Sequence, residues 1–330
     1  MERQNVDHLA AGDSVDTIFL VAEKHVRVNR QGAPFLVLLL RDRTGTIEGR
    51  LWNVSEDQSR AYEVGQYLHV RGKVQLFQGS LQVILSAIEK VDGSRINADE
   101  FLPPAVADID GLMRKARSIL MGMSNHYLCA LVECFLIDDA FVKKFTSAPA
   151  GVRKHHAYRG GLLEHVVTLL TAAQRISDLY PKVDKDLLLT GIFLHDLGKI
   201  DELSYDQVFQ YTDSGQLVGH VVMGVCLLRE KVRKVVELLD EPFPEELRTR
   251  LEHMIVSHHG SYEFGSPKLP MTLEAVALHF LDSLDAKLAE FTRELEDGAK
   301  NGAWTAYDPS LNRRLFRGTP VSESQPQTEG

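Results

Sequence analysis

Cysteine is scarce in this sequence, and no long apolar run occurs in it. Only three of the 330 residues are cysteines, with no CxxC pair and no regular spacing among them. So few thiols exclude a disulfide scaffold and indicate a reducing compartment. The N-terminal residues are polar and acidic, unlike a signal peptide, and the apolar stretch 34–40 is far too short to span a bilayer. The sequence therefore predicts a cytoplasmic protein with no membrane partner.

The chain also lacks an excess of basic residues. Its net charge is −9 and its pI is about 5.8, which for a whole chain argues against nucleic acid as a partner. Residues 13–92, however, carry ten Lys or Arg against ten Asp or Glu, so the acidic excess belongs to the remainder. A neutral segment can still present a basic face. An acidic segment rich in His and Asp can hold divalent cations that reverse the local sign of charge.

The first 91 residues have the sequence pattern of a β-domain. Short runs rich in Val, Ile, Leu and Phe alternate with Gly-, Asp- and Asn-containing turns, which predicts five strands. The predicted strands are 17–29, 34–42, 47–53, 67–77 and 81–91. Five strands with a helix-sized gap after the third fit a small Greek-key barrel of the oligonucleotide/oligosaccharide-binding kind, the OB-fold. A fragment of a β-sandwich is the competing interpretation.

Beyond a polar, proline-containing connector, the texture becomes helical. Apolar residues recur at i, i+3, i+4 and i+7 in seven segments. These are 108–123, 125–138, 160–180, 185–198, 220–240, 244–260 and 272–295. The sequence thus predicts a multidomain protein, an all-β OB-fold barrel followed by an all-α helical bundle. The predicted boundaries are 1–98 for the barrel with its connector, 99–305 for the bundle, and 306–330 for a partly disordered C-terminal extension.

Histidines and aspartates recur at inward positions of the predicted helices. A His-Asp pair ends one helix just before Gly198, and the other members lie at the ends or on the apolar faces of four more helices. The set is His165, His195, Asp196, His220, His258, His259, Asp282 and Asp285. Metal sites in helical bundles are built from such side chains on facing helices. Imidazoles and carboxylates without thiolates suit Mn, Fe, Zn or a mixed dinuclear centre.

Each of these residues also has a simpler interpretation. A single buried histidine is commonly a hydrogen-bonded core residue, and His258-His259 could be favourable cations at a helix C-terminus. Because five helices each place a His or Asp at an inward position, the pattern as a whole nevertheless predicts a metal centre. Periodicity does not separate Asp282 from Asp285, because the two lie three residues apart on one helix face. Apart from the pair at 155–156, the other histidines have no such context and are interpreted as non-ligands: His8, His25, His69, His126, His253 and His279.

The ordered His, His-Asp and distal Asp resemble the HD superfamily of metal-dependent phosphohydrolases. The resemblance is carried by HHAYRGGLLEHV (155–166), FLHDLGK (193–199), GHVVMG (219–224), SHHGSYEFGSPKLP (257–270) and EAVALHFLDSLDAKL (274–288). With the barrel segments 34–52 and 72–83 in front, the chain is similar to the YhaM-type 3′–5′ exoribonucleases. The resemblance extends over about residues 13–305.

The resemblance implies a ligand for each metal position. His165, His195, Asp196 and Asp282 match the four-ligand HD core, with Asp282 preferred over Asp285 on the family pattern alone. His220 with His258, His259 or both match the histidines that hold a second ion, and Asp196 would bridge the two. Lys199 matches a lysine that contacts the scissile phosphate, so Asp196 and Lys199 are the predicted catalytic residues. Two divalent ions are expected, Mn²⁺ first, with Fe²⁺, Zn²⁺, Mg²⁺ and Co²⁺ as the other choices.

The implied activity is metal-dependent hydrolysis of single-stranded RNA from the 3′ end to nucleoside 5′-monophosphates, with single-stranded DNA left open as a substrate. The predicted nucleic-acid contacts are Arg50, Trp52, Lys73, Phe77, His156 and Arg159. A surface-loop role for the last two and a docking or oligomerisation role for the barrel are the alternatives, and a homo-oligomer is considered. The competing functions are hydrolysis of a nucleotide or cyclic dinucleotide, and a DNA- or RNA-binding replication-associated factor with a vestigial HD domain.

Overall fold

Alternating apolar residues build a closed N-terminal barrel of five strands. The computed structural model describes residues 3–29, 31–102, 108–152, 156–205, 209–296, 302–308 and 310–318. The strands are β1 (Ser14–Val28), β2 (Pro34–Asp42), β3 (Gly45–Trp52), β4 (Tyr67–Phe77) and β5 (Ser80–Val91). Their order around the barrel is β1-β2-β3-β5-β4. All neighbours are antiparallel except β3 and β5. A closed barrel of this order confirms the predicted OB-fold and excludes the sandwich.

The barrel core and its outer face follow from the two-residue period of a strand. Leu36, Leu38 and Leu40 of β2 are fully buried in the barrel core. The residues between them lie on the outer face, because successive side chains of a strand point to opposite sides. The short helix α1 (Glu56–Ala61) fills the predicted gap between β3 and β4. A reciprocal pair of Ser55 and Gln58 hydrogen bonds caps its N-terminus.

The rest of the chain is a helical domain around one large apolar core. Its helices are α2 (Ile109–Leu120), α3 (His126–Leu136), α4 (Asp139–Phe145), α5 (Gly161–Ile176), α6 (Lys185–Leu194), α7 (Lys199–Glu202), α8 (Asp213–Val218), α9 (His220–Leu239), α10 (Glu245–Ser257) and α11 (Leu273–Glu296). A small ladder pairs β6 (Leu203–Ser204) with β7 (Gln210–Tyr211). The predicted all-β then all-α architecture is confirmed.

The helical predictions differ from the structure at short elements. The predicted helix 185–198 ends at Leu194, and the chain turns through His195 and Asp196 before α7 begins at Lys199. Helices α4, α7 and α8 are seven residues long or shorter. Helices this short do not produce the repeated apolar pattern by which helices are predicted from sequence. They are held by packing against the domain and by N-caps such as Asp138 and Thr212.

Residues 302–308 and 310–318 fold back onto the helical domain. Isolated bridges join Trp304 to Phe316 and Asp308 to Arg313, and Arg317 donates a hydrogen bond to the Leu295 carbonyl at 3.0 Å. Residues 319–330, on which the prediction of disorder partly falls, lie outside the described residues. The domain boundaries stay a prediction. Within the described ranges, no helix is both long and apolar enough to cross a membrane.

Candidate active site

Six side chains of the helical domain form two clusters of potential metal ligands, and a third group in the described residues, His156, His165 and Asp285, overlaps one of them. One cluster joins His165 of α5, His195 after α6 and Asp282 of α11; the other joins His220 at the start of α9 with the adjacent His258 and His259 after α10. In each cluster, one nitrogen or oxygen of every member lies within 4.8 Å of the others. All six side chains were predicted as ligands, and the fold brings them together from five helices.

Asp196 lies between the two clusters and contacts both. Its Oδ2 is 3.4 Å from Nε2 of His195 and 3.9 Å from Nε2 of His165. Its Oδ1 is 3.6 Å from Nε2 of both His220 and His258. The residue is only 2% exposed. One carboxylate oxygen therefore faces each cluster, which is the arrangement that a carboxylate bridging two cations requires.

Two of the histidines are oriented by the carbonyl groups of the helices that they terminate. The last carbonyls of a helix have no partner within it. Nδ1 of His195 donates to the Ile192 carbonyl and Nδ1 of His258 donates to the Ile255 carbonyl, both at 2.7 Å. Because a carbonyl can only accept, Nδ1 must carry the proton in each ring. Nε2, the nitrogen that faces Asp196, is then the ligand atom.

Two further histidines are oriented by carboxylates. Asp285 accepts a hydrogen bond from Nδ1 of His165 at 2.7 Å, and Glu202 accepts one from Nδ1 of His220 at 2.9 Å. Glu202 also accepts from the His220 backbone N–H at 2.9 Å. Carboxylates in this position fix the orientation of a metal-ligating ring and make it more basic. Four histidines thus present Nε2 to the centre of the site.

The unsatisfied polar atoms of the site fit divalent cations. Within the described part of the chain, Oδ1 of Asp196, Nε2 of His258 and Nδ1 of His259 are buried without a hydrogen-bond partner. Two pairs of Nε2 atoms also approach closely, His165 with His195 at 3.3 Å and His220 with His259 at 3.2 Å. Ring nitrogens this close need a proton or a cation between them, and buried unpaired polar atoms are costly. Metal cations at these positions would meet both requirements, so the residues present fit a pair of metal ions.

The electrostatic environment keeps most of the candidate ligands in the protonation states that metal binding needs. Burial lowers the pKa of His258 well below its ordinary value, and the nearby His195 lowers it further. Burial also lowers the pKa of His195 and of His259. Burial alone would raise the pKa of Asp196, but Lys199 and the surrounding imidazoles outweigh burial and hold it well below the ordinary value. Neutral imidazoles beside an ionised carboxylate are the protonation states that metal ligation needs.

His165 is the exception among the candidate ligands. Its burial opposes a charge, yet hydrogen bonds to Asp282 and Asp285 outweigh the burial and raise the pKa of His165 to about 9. Without metal the ring is therefore a cation at neutral pH. A metal ion bound at Nε2 must displace a proton, which couples metal affinity to pH at this residue.

Lys199 lies beside Asp196 at the edge of the site. Its Nζ donates to Oδ2 of Asp196 at 2.6 Å and to the Ala150 carbonyl at 2.7 Å. Burial would lower the pKa of Lys199, but the Asp196 carboxylate outweighs burial and raises it. The side chain is therefore a positioned cation beside the predicted bridging carboxylate.

Glycines allow the close approaches on which this geometry depends. A Cβ at Gly198 would collide with the carbonyl oxygen of His220, so α9 could not begin beside the His195-Asp196 turn. Gly260 has φ +81° and lies against the ring of His279. That ring donates from Nδ1 to the His258 carbonyl at 2.8 Å. His279, predicted to be a non-ligand, lies outside both clusters and supports the His258-His259 backbone.

The site opens into a cleft of about 850 Å³ between the barrel and the helical domain. Lys199, Glu202 and His220 line it on the helical side, together with Tyr211, which is 48% exposed. On the barrel side the cleft is lined mainly by Ala22, Glu23, Lys24, His25 and Arg41. Glu202 and Tyr211 were not predicted from the sequence, because both depend on the short elements α7 and β7. The barrel wall was not predicted either, because it depends on how the domains meet.

The four predicted barrel contacts share the outer face. Arg50 of β3 pairs with Val37 of β2, and Val37 pairs with His25 of β1 at the cleft. On its other side, Arg50 pairs with Ile84 of β5, which pairs with Lys73 of β4. Trp52 is 41% exposed and Phe77 is 44% exposed. Trp52 stacks on Phe35 with ring centroids 4.6 Å apart, and the Arg50 guanidinium lies 5.1 Å from the Phe77 ring centre. The outer face therefore combines cations and aromatic rings, and it leads toward the cleft.

The remaining two predicted contacts lie before α5. His156 Nε2 donates to Asp285 at 3.0 Å, and its Nδ1 is 2.9 Å from the Tyr158 hydroxyl and 3.1 Å from Glu164. His156 thus belongs to the network that holds His165. Arg159 is partly buried in the turn that leads into α5. A contact of either residue with substrate stays a prediction.

The fold and the site define a class of protein, one with an OB-fold barrel followed by an HD domain. Family models match both parts: OB-fold nucleic acid binding domain over residues 21–91, and HD domain over residues 162–287. The chain belongs to the YhaM family of 3′–5′ exoribonucleases, as its resemblance predicted, because its curated relatives are more than 30% identical over nearly their whole length.

Two relatives and one solved structure illustrate the similarity. The 3′–5′ exoribonuclease YhaM of Geobacillus sp. (strain WCH70) is 34% identical over 314 residues, 95% of this chain and 94% of the relative. YhaM of Bacillus subtilis (strain 168) is 36% identical over 306 residues, 92% of this chain and 95% of the relative. The second OB-fold domain of replication protein A from Methanococcus maripaludis matches 27% of this chain and 95% of its own, with 21% identity and a TM-score of 0.23.

Proposed function

We propose that this protein is a metal-dependent exoribonuclease that removes nucleoside 5′-monophosphates from the 3′ end of single-stranded RNA. The observation that carries the proposal is the position of Asp196, with one oxygen toward each cluster of ligands. The cleft beside this carboxylate has an OB-fold barrel as its other wall. The relatives named 3′–5′ exoribonuclease support the polarity and the RNA substrate.

Two ions would occupy the site, one held by each cluster. His165, His195 and Asp282 would hold the first with Oδ2 of Asp196; His220, His258 and His259 would hold the second with Oδ1. Mn²⁺ is the favoured metal, and Fe²⁺, Zn²⁺, Mg²⁺ and Co²⁺ are the alternatives for nitrogen and oxygen ligands. Such a pair activates water and neutralises phosphate charge. The protein supplies the fixed rings, since each orienting hydrogen bond removes a rotational freedom from a ligand.

Lys199 would act on the phosphate that enters the cleft. Its ammonium lines the cleft and is held by Asp196 and the Ala150 carbonyl. The raised pKa keeps it charged over the neutral range. A fixed cation beside the reacting phosphate stabilises the negative charge that develops during phosphodiester cleavage without reorganising at that moment.

The barrel would hold the strand upstream of the reacting end. Arg50 and Lys73 offer cations for the sugar-phosphate backbone, whereas Trp52 and Phe77 offer exposed rings on which bases can stack. Tyr211 offers another ring at the cleft. Because every base has a stackable face, such a surface reads no sequence, and single-stranded DNA is a second possible ligand.

The decisive experiment follows a 5′-labelled and a 3′-labelled single-stranded RNA with Mn²⁺, with Mg²⁺ and with chelator. We expect the 5′ label to pass through successively shorter products and the 3′ label to appear at once as a mononucleotide, both only with metal. Asp196→Ala should abolish cleavage while RNA binding remains. Asp178→Ala, at an exposed position outside the ligand clusters, is the matched control.

Other outcomes would redirect the proposal. Tight RNA binding without metal-dependent cleavage would contradict it and favour a binding factor with an inactive HD domain. If the protein neither binds nor cleaves RNA, nucleotides and cyclic dinucleotides become the substrates to test. Release of the 5′ label as a mononucleotide would overturn the polarity.

A further inference from the structure

Helix α11 presents an apolar stripe to solvent on the side away from the metal ligands. Leu273, Val276, Phe280, Leu284 and Leu288 follow one another at intervals of three or four residues and are 41–66% exposed. That spacing places them on one face of the helix. The buried face carries Ala275, Leu278 and Leu281 together with Asp282 and Asp285, which reach His165. The stripe therefore leaves about half of its side-chain surface uncovered by the described parts of this chain.

The loop before α11 extends this apolar surface. Tyr262 and Phe264 are 65% and 71% exposed, and Met271 is 70% exposed. Gly260 lies against the ring of His279, so the turn that follows Gly260 lies near α11. The stripe exposes roughly 550 Å² and the loop roughly as much again. The largest apolar patch of a typical monomer is about 300–600 Å².

We infer that this surface is the interface of a homodimer in which two copies of α11 pack antiparallel about a two-fold axis. The longer undescribed segments, 103–107, 297–301 and 319–330, together contain only two aliphatic residues larger than alanine other than proline, so their composition offers little to cover the stripe. A stripe that repeats every three or four residues about Phe280 is self-complementary, since a two-fold axis near Phe280 brings Val276 of one copy against Leu284 of the other.

The area also suits a second copy. Two such surfaces facing each other would bury at most about 1,100 to 2,200 Å², which overlaps the roughly 1,200–2,000 Å² of specific, stable interfaces. Interfaces between identical subunits are the more apolar class, and the five stripe residues are all apolar, whereas Lys287 on the same helix face pairs with Glu290 at 2.8 Å. Because the active-site cleft is lined from α7, α9 and the barrel, a dimer through the outer face of α11 leaves it open.

The test is the mass of the full-length chain by analytical ultracentrifugation over a range of concentrations. We expect the wild-type chain to sediment at twice its 37.0 kDa. The double variant Phe280→Glu with Leu284→Glu should sediment at 37.0 kDa, with dimerisation weakened at least about 100-fold because charges would be buried at the centre of the interface. Leu238→Glu is the control, since this leucine is also helical and is 57% exposed against 55% for Leu284.

A cross-link tests the symmetry without depending on a destabilising change. In a Cys226→Ser background, which removes the exposed native thiol, Phe280→Cys should form an intermolecular disulfide rapidly and Leu238→Cys should not. A residue near a two-fold axis meets its own copy. A wild-type mass of one chain, a dimer unchanged by the double Glu substitution, or equal cross-linking at both positions would each overturn the proposal. Circular dichroism of each variant checks that the helices are retained.

Discussion

The helical site and the barrel face hold their functional side chains in opposite ways. His165 and His195 are completely buried, and a second group fixes each ring. Trp52 and Phe77 of the barrel are more than 40% exposed, and they contact the Phe35 ring and the Arg50 guanidinium respectively. Bond cleavage requires fixed geometry, whereas gripping a strand of any sequence requires accessible rings and cations. The helical domain therefore holds its functional side chains in a fixed geometry, whereas the barrel presents accessible side chains that can bind strands of any sequence.

This comparison predicts that small changes will be severe in the helical site and mild on the barrel. The site depends on tight packing of backbone against backbone, so even one methyl group should disturb it. The barrel face has room around its side chains, so removing a whole ring should reduce binding only by the free energy of the stacking that the ring provides. Single substitutions in each domain test the two halves of this contrast.

Gly198→Ala should have the largest effect. The added Cβ collides with the His220 carbonyl and must displace the start of α9 from the turn that carries Asp196. A misplacement of about 1 Å can cost 100-fold in rate, so we expect at least about a 100-fold loss of RNA hydrolysis. Isothermal titration should show weaker Mn²⁺ binding, whereas RNA binding measured by anisotropy should be unchanged.

The matched control for this change is Gly224→Ala in α9. A Cβ there meets Ile255 at 3.4 Å, an ordinary van der Waals contact, and alanine favours the helix. Full activity of Gly198→Ala would show that the site tolerates displacement, which would contradict the contrast between the two domains.

The stability of the metal-free helical domain should depend on pH through His165. The folded-state pKa is raised from 6.5 to about 9, so the stabilisation is complete below pH 6.5 and is lost as pH rises through 9. Between pH 7 and pH 9 the free energy of unfolding should fall by about 2 kcal/mol. Urea denaturation in chelator, followed by circular dichroism, measures this loss.

Asp285→Asn serves as the control for the pH effect. It removes one of the two carboxylates that raise the pKa of His165, so the dependence on pH should become shallower in this variant. The idea is wrong if the chelated wild-type domain is equally stable at both pH values, or if Asp285→Asn loses stability over this range as steeply as the wild type.

Glu202→Gln should weaken the second cluster selectively. The amide keeps the size of the side chain but loses the charge that orients His220 and holds its Nδ1 proton. Loss of a carboxylate behind a ligating histidine typically costs 10–100-fold in metal affinity, and we expect about 10-fold for one of two Mn²⁺ sites. Titration of Mn²⁺ should resolve one weakened and one unchanged site. Equal weakening of both sites, or of neither, would contradict the assignment of His220 to a separate ion.

The sequence was informative where the residues at the end of a helix point toward the interior of the helical domain. His195, Asp196 and the His258-His259 pair follow apolar helices and precede a glycine, so their convergence could be predicted from periodicity and capping. Periodicity could not separate Asp282 from Asp285, because the two lie three residues apart on one face of the helix. Both contact the same histidine. In the structure Asp282 lies 3.3 Å from Nε2 of His165 and Asp285 lies 2.7 Å from its Nδ1. The two aspartates therefore differ only in which nitrogen of the His165 ring they face.

Other parts of the site depend on contacts between segments far apart in sequence. Glu202 orients His220 only because α7 is a separate short helix beside α9. The barrel wall of the cleft depends on the way the two domains meet, and no local pattern encodes that arrangement. The five strands could be predicted because each is long and alternating, whereas the role of their outer face required knowing what lies opposite.

Trp52→Ala should have the smallest effect and gives the sharpest test of the barrel. The chain has two tryptophans, and Trp304 is 50% exposed against 41% for Trp52, so Trp304→Ala is a matched control in the helical half of the protein. One stacked base contributes about 1 kcal/mol at the low end, so Trp52→Ala should raise the Kd for single-stranded RNA roughly fivefold. A dinucleotide too short to reach the barrel should be hydrolysed by this variant at the wild-type rate. If Trp52→Ala instead lowers hydrolysis of the dinucleotide, the barrel face contributes to catalysis, and the division between a precise helical site and a tolerant barrel is wrong.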